Sequence, residues 1–314
     1  MAAEEGGTDF RELGRRLSNW GRWDTDGQPD ERGTTNLLTP DRIVAAAGLI
    51  RTGAVFDLGI PFGPGGPQPG GGRINPVLLL SETGADQDHY PGAFHYADDY
   101  VFMPLQSATQ WDGLAHVYYD EQLYNGFPAS DITPHGVKHL SIEHQAKGIA
   151  GRGVLIDVAR HRGVDWLEAG EAITPDELDA ALAAQGTEVR PGDVVAVRTG
   201  WRRKFLADGD AASFMAGEPG LGLDCCAWLH ARDVAAVCSD NWAIEVLPGE
   251  VTGETLPVHM VLIRDMGMTL GEMLDLEELA EDCAADGRHE FFLAAPPIKF
   301  RRALGSPINP LAIK

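Results

Sequence analysis

Apolar positions in this chain fall in short runs more than in long periodic stretches. Gly153-Val154-Leu155-Ile156-Asp157-Val158, Asp193-Val194-Val195-Ala196-Val197-Arg198 and Ala235-Ala236-Val237-Cys238-Ser239 are brief, nearly continuous apolar segments. Runs of this length, rich in β-branched residues, read as strands covered on both faces. Tyr100-Val101-Phe102-Met103-Pro104-Leu105 reads as another buried strand, Ala54 to Ile60 as a strand, and Phe291-Phe292-Leu293 as a late one. Helix signals are fewer but specific. Thr39-Pro40-Asp41 supplies an N-cap, a proline at the first helical position and an acid in the first turn, predicting a helix to about Leu49 that stops near Gly53. Thr174 and Glu177 have capping-box spacing, Leu178 and Leu182 mark an apolar stripe, and Gly186 ends it. Leu223 to Leu229 reads as a further helix, which buries Cys225-Cys226. Leu256 to Ile263 is an apolar stretch carrying His259, and Pro307 to Ile313 closes the chain.

The Gly/Pro-rich segment Phe62 to Gly72 lies between strand-like neighbours and reads as a surface loop. It is not a phosphate loop, because no Lys-Ser/Thr pair follows. Residues 1–36 are polar and irregular and read as an N-terminal extension, with Met1 to Thr8 small, acidic and expected to be disordered; 37–314 read as one domain. No repeat of fixed period is present. Strands outnumber long helices without a dominant β-α alternation, so the fold class is mixed α/β, leaning to α+β.

Composition narrows the function. The 314 residues are 44% hydrophobic and 23% charged, enough for a large core. A net charge of −22 repels phosphate backbones and anionic lipid, and the longest basic run is Trp201-Arg202-Arg203-Lys204. The expected partner is therefore a small molecule, not nucleic acid or membrane. The four cysteines form no C-x-x-C pair and too sparse a set for a disulfide framework. Reduced thiols and a N-terminus without a secretory pattern make the cytoplasm the expected location. The apolar stretches Ile43 to Ile50 and Pro76 to Leu80 are too short to span a bilayer.

The densest collection of chemistry is Gln106-Ser107-Ala108-Thr109-Gln110-Trp111-Asp112-Gly113-Leu114-Ala115-His116. On an extended strand Gln106, Gln110 and Asp112 share a face, and His116 joins them if the strand continues past Gly113. One carboxylate among neutral oxygen donors suits Mn²⁺, Mg²⁺ or Zn²⁺. The same residues also suit a buried hydrogen-bond network, and spacing alone leaves both readings open. Trp111 and the loop residues Asp240 and Trp242 are candidate substrate contacts. His135, His139 and His144 are spaced like helix neighbours, but Pro134 and Gly136 assign them to a surface loop.

These residues resemble the cyclase and kynurenine-formamidase-like family of metal-dependent hydrolases. The family pattern H-x-G-T-H-x-D-x-P-x-H appears here as the variant Q-x-x-x-Q-x-D-x-x-x-H: Thr109, Asp112 and His116 match, while Gln106 and Gln110 replace histidines, Ala108 a glycine and Leu114 a proline. Gly151 to Asp157, Gly192 to Trp201, the late His259, Gly267 and Glu272, and Gly305-Ser306-Pro307 also resemble family segments. The resemblance implies a swivelling β/β/α fold with a mixed β-barrel-like core flanked by helices, assembled as a homodimer or homotetramer. It implies Asp112, Glu272 and His259 as metal ligands, with Gln106 and Gln110 where histidines would bind. An amide oxygen is a weaker ligand than imidazole, so one divalent ion, Mn²⁺ or Zn²⁺, is expected. His116 becomes the acid/base in hydrolysis of a small cyclic or aryl amide, lactone or ester. The altered motif argues against kynurenine formamidase activity itself. A ring-closing cyclase using the same pocket and a non-catalytic scaffold that has lost its metal remain the alternatives.

Overall fold

The computed structural model describes residues 9–85 and 90–314; the expected disorder of Met1 to Thr8 lies outside the described residues. Among these, nine strands form one curled sheet in the order Val55–Asp57, Leu311–Ile313, Glu290–Ala294, Ala150–Asp157, Val194–Arg198, Ala236–Ser239, Thr269–Glu272, Gln110–Asp112 and Gly305–Pro307. The four strands from Ala150–Asp157 to Thr269–Glu272 run parallel, and all other pairings are antiparallel. The result is a mixed α/β half-barrel flanked by helices, as the resemblance implied.

The apolar runs form the centre because both faces are covered. Val154 and Ile156 point into one core with Val195, Val197 and Val237, which the helices Pro175–Gln185 and Cys225–Ala231 cover. Leu155, Val194, Ala196, Ala236 and Cys238 point into a second core on the other face, against Leu279, Ala280 and Cys283 of helix Glu277–Asp286. The strand period of two distributes one unbroken apolar run between two cores. The capped helix appears as Pro175–Gln185, with Thr174 accepting from the Glu177 N–H at 3.3 Å and Gly186 in the left-handed region. The first predicted helix spans Pro40–Ala47 and ends at Gly48, short of the expected stop.

Two readings need correction. The segment before residue 36 is not simply irregular: Phe10–Arg16 is a helix whose Phe10 and Leu13 enter the first core, and Asn19 and Trp20 donate to the carbonyls of Met266 and Arg264. The run at Tyr100 forms the strand Asp98–Phe102, but it is exposed along its whole length and, among the described residues, paired only with Val77–Glu82. Apolar composition predicts the strand; it does not supply a cover for it. No helix among the described residues is long and apolar enough to cross a membrane.

Candidate active site

The site lies where the parallel centre of the sheet meets its antiparallel edge. Thr269–Glu272 pairs with Gln110–Asp112 so that Glu272 stands opposite Gln110. Side chains two apart share a face, and Gln110 and Asp112 therefore lie beside Glu272. Gln110 Nε2 donates to Glu272 Oε2 at 2.6 Å and to Asp112 Oδ1 at 3.2 Å. His259 arrives from the short helix Pro257–His259, which continues as a π-helical turn Met260–Asp265. Its Nε2 is 3.0 Å from Glu272 Oε1 and 4.0 Å from Asp112 Oδ2. Its Nδ1 is 2.6 Å from Glu245 Oε1, which also accepts the His259 backbone N–H. After Asp112 the chain turns at Gly113 and brings His116 back, placing Nε2 3.6 Å from Asp112 Oδ2. Arg73, from the end of the Gly-rich loop, sets Nη2 3.4 Å from that nitrogen, donates to the Gln106 carbonyl at 3.3 Å and stands 5.8 Å from the Trp242 ring centroid.

The electrostatics are those of a crowded acid cluster. Burial, then the charge of Glu272, raises the Asp112 carboxyl to about 6. Burial lowers His116 below the usual imidazole range; Asp112 opposes this, and Arg73 and His259 reinforce it. Burial works against the charged form of His259 too, yet hydrogen bonds to Glu245 and Glu272 outweigh it and raise the imidazole to about 10. Glu218, buried and held by the backbone N–H groups of Trp242 and Ala243, is pushed well up by burial and further by Glu272.

The chemistry of these donors fits a cation. Asp112, His259 and Glu272 each offer a ligand atom, and these atoms lie within 4.8 Å of one another. Gln110 Oε1 is buried with no hydrogen-bond partner. Turning the amide over would exchange its N–H donor for this oxygen, which is unfavourable against two carboxylates unless a cation lies between them. Buried carboxylates outnumber the one imidazolium, and a divalent ion offsets that excess.

The predicted residues divide. Gln110, Asp112, His259 and Glu272 converge, with His116 adjacent. Gln106 lies at the rim: its amide packs where a Cβ on Gly305 would come within 2.6 Å, and no hydrogen bond joins it to the triad. Trp242 stands beside Arg73. Trp111 does not reach the pocket, because a strand alternates its faces. It is fully buried in the second core, lies over Gly271 and donates to the Ala295 carbonyl at 2.7 Å. Asp240 is also excluded: it is fully buried, and its oxygens accept from Thr199 N, Thr199 Oγ1 and Gly200 N, tying down the turn that follows strand Val194–Arg198. Glu218, Glu245 and Arg73 were not singled out in the sequence. A lone acid inside Ala243-Ile244-Glu245-Val246 is a signal for Glu245; Gly217-Glu218-Pro219 offers none.

A curled α/β sheet that buries two carboxylates and an imidazole at cation-binding distance, with a second histidine at the rim, defines the class of protein. The chain belongs to the cyclase family: the family model described as "Putative cyclase" matches residues 56–246. A crystal structure of a novel cyclase is 44% identical, with 95% of this chain and 100% of that one covered and a TM-score of 0.86. An isatin hydrolase bound to the product analogue thioisatinate is 21% identical over 85% of this chain and 93% of its own, with a TM-score of 0.60. A predicted metal-dependent hydrolase from Bacillus stearothermophilus is 16% identical over 83% of this chain and 98% of its own, with a TM-score of 0.52. These last two share the fold. No curated protein sequence matches the chain.

Proposed function

We propose that this protein is a metal-dependent hydrolase that opens a small cyclic or aryl amide, lactone or ester. The observation that carries the reading is the placement of His116, an imidazole held toward its neutral form, 3.6 Å from one carboxylate of the buried triad. Asp112, Glu272 and His259, with the Gln110 amide oxygen, would hold one divalent ion, Mn²⁺ or Zn²⁺. When bound, such an ion polarises a carbonyl oxygen and lowers the pKa of a coordinated water from 15.7 to about 7 in favourable sites. Glu245 fixes the His259 ring through Nδ1, which leaves Nε2 as the ligand atom once its proton has gone.

His116 is the proton carrier. Its Nε2 accepts the proton released when water adds to the carbonyl carbon and returns it to the departing nitrogen or oxygen as the acyl bond breaks. The product is a carboxylate. Arg73 has no carboxylate partner among the described residues, and its guanidinium is placed to pair with that anion while Trp242 supplies a flat wall beside it. The isatin hydrolase that shares the fold supports a cyclic amide as the first substrate to try.

The test is hydrolysis of a panel of cyclic and aryl amides, lactones and esters by the purified protein, with and without a chelator. Chelator-sensitive turnover is expected. His116→Asn should retain bound metal and lose about 10²–10⁴-fold in rate. Undiminished turnover in His116→Asn would remove it from the mechanism. A metal-bearing protein that opens no substrate but closes a linear precursor would shift the assignment to a cyclase.

A further inference from the structure

We propose that Gln68 is a specificity-determining residue: its carboxamide oxygen accepts a hydrogen bond from a ring N–H or O–H of the bound substrate. The inference deepens the reading of this pocket as a hydrolase site and rests on it. Gln68 lies in the Gly/Pro-rich segment Phe62 to Gly72, yet it is only 4% exposed. A plain surface loop has no reason to bury an amide.

The loop is built to turn that side chain inward. Asn75 Oδ1 accepts from the Gln68 backbone N–H at 2.9 Å, and Asn75 Nδ2 donates to the Gln68 carbonyl at 3.0 Å. Pro67 and Pro69 fix φ on either side. Gly66 leaves room for this staple, since a Cβ there would come within 2.5 Å of Asn75 Oδ1. The main-chain groups of Gln68 are thus satisfied within the loop, and its side chain faces the interior. There Nε2 donates to the Ser107 carbonyl at 3.0 Å and lies 4.0 Å from Met273 Sδ. Ser107 follows Gln106, whose carbonyl accepts from Arg73, and Met273 follows Glu272. Gln68 therefore stands between the segment that enters the motif and the end of strand Thr269–Glu272, on the side where Arg73 lies.

A carbonyl only accepts, so the Ser107 contact fixes which end of the amide is nitrogen. The other end, Oε1, is buried with no hydrogen-bond partner among the described residues, and Ser107 Oγ and Trp242 Nε1 are in the same condition. An unpaired acceptor inside a protein is costly. Several such atoms around one pocket mark where a ligand completes the hydrogen bonds. Arg73 offers a fixed positive charge and Gln68 a neutral acceptor. Trp242, packed with Met273 in one apolar cluster, offers a flat wall. That set recognises an aromatic ring carrying a carboxyl group and, at another position, a donor. A lactone or ester without a ring N–H or O–H leaves Oε1 unpaired and is discriminated against.

The experiment is titration calorimetry of the full chain with 2-, 3- and 4-aminobenzoate, each compared with the methylbenzoate of the same substitution. The two groups match in size, and only the amine donates. At least one aminobenzoate should bind the wild type about tenfold or more tighter than its methyl counterpart. Gln68→Met should erase that preference and bind the methyl ligand as the wild type does. Gln68→Asn keeps an amide but withdraws it by a methylene; it should lower the preference too, which keeps the test intact if the methionine variant does not fold. Arg73→Met should weaken both ligands and leave the preference standing. Thermal melts confirm folding, and each titration is repeated with a chelator. A preference that vanishes with chelator but persists in Gln68→Met comes from the amine on a metal and would overturn the proposal. So would the absence of preference at all three ring positions, or a wild type that binds no ligand of either series at millimolar concentration. Turnover that is absent or indifferent to chelator would sink the hydrolase reading without altering this ratio, so the two failures are told apart.

Discussion

Asp112 is the residue on which the site turns. It accepts from Gln110, faces His259 and His116, and is surrounded by other acids. Asp112→Ala should remove bound metal with little loss of fold, as elemental analysis of the purified variant would show; full metal content would refute the ligand assignment. Metal uptake must displace protons from this carboxyl and from His259, whose pKa values stand at about 6 and about 10 in the metal-free protein. Lower pH favours the protonated forms. Affinity for Mn²⁺ or Zn²⁺ should therefore fall as pH drops from 7.5 towards 5, by about tenfold per unit for each proton displaced. Titration calorimetry across that range checks the sign, and affinity that is flat or rises with acid would contradict it.

At the scale of elements, the strand pair Gln110–Asp112 and Thr269–Glu272 does two jobs at once. One face carries Gln110, Asp112 and Glu272; the other presses Trp111 onto Gly271. A Cβ at Gly271 would come within 2.5 Å of the indole and 2.7 Å of Cys238 Sγ. Gly271→Ala should cost about 1–3 kcal/mol in chemical denaturation and, by displacing the strand next to Glu272, weaken metal binding as well. A neutral effect on stability would show that the indole can move aside. Trp111 matters here as packing, although its place inside the motif made it look like a substrate contact. A strand motif mixes functional and structural residues on alternate positions, and only the register shows which face is the pocket.

Over the whole molecule, a net charge of −22 sets up self-repulsion that opposes compaction. Added salt should screen it, so the melting temperature should rise between about 10 mM and about 200 mM NaCl, where the Debye length falls from about 30 Å to under 10 Å. A fall would mean that ion pairs such as Arg198 with Asp157 and Glu277 outweigh the repulsion. The sequence by itself marked the central strands and the helices Pro40–Ala47, Pro175–Gln185 and Cys225–Ala231, because apolar runs and caps act through neighbours in the chain, but not the helices Phe10–Arg16, Trp201–Asp208 and Glu277–Asp286. It also marked Asp112 and His116, which lie in one short motif, and resemblance extended the set to His259 and Glu272. Tertiary structure alone decided the rest. Glu218, Glu245 and Arg73 come from distant segments, Trp111 and Asp240 face away from the pocket, and the apolar run at Tyr100 lies outside the core. Local pattern records which residues avoid water or carry charge. What they meet depends on contacts between segments far apart in the chain, which no short-range pattern encodes.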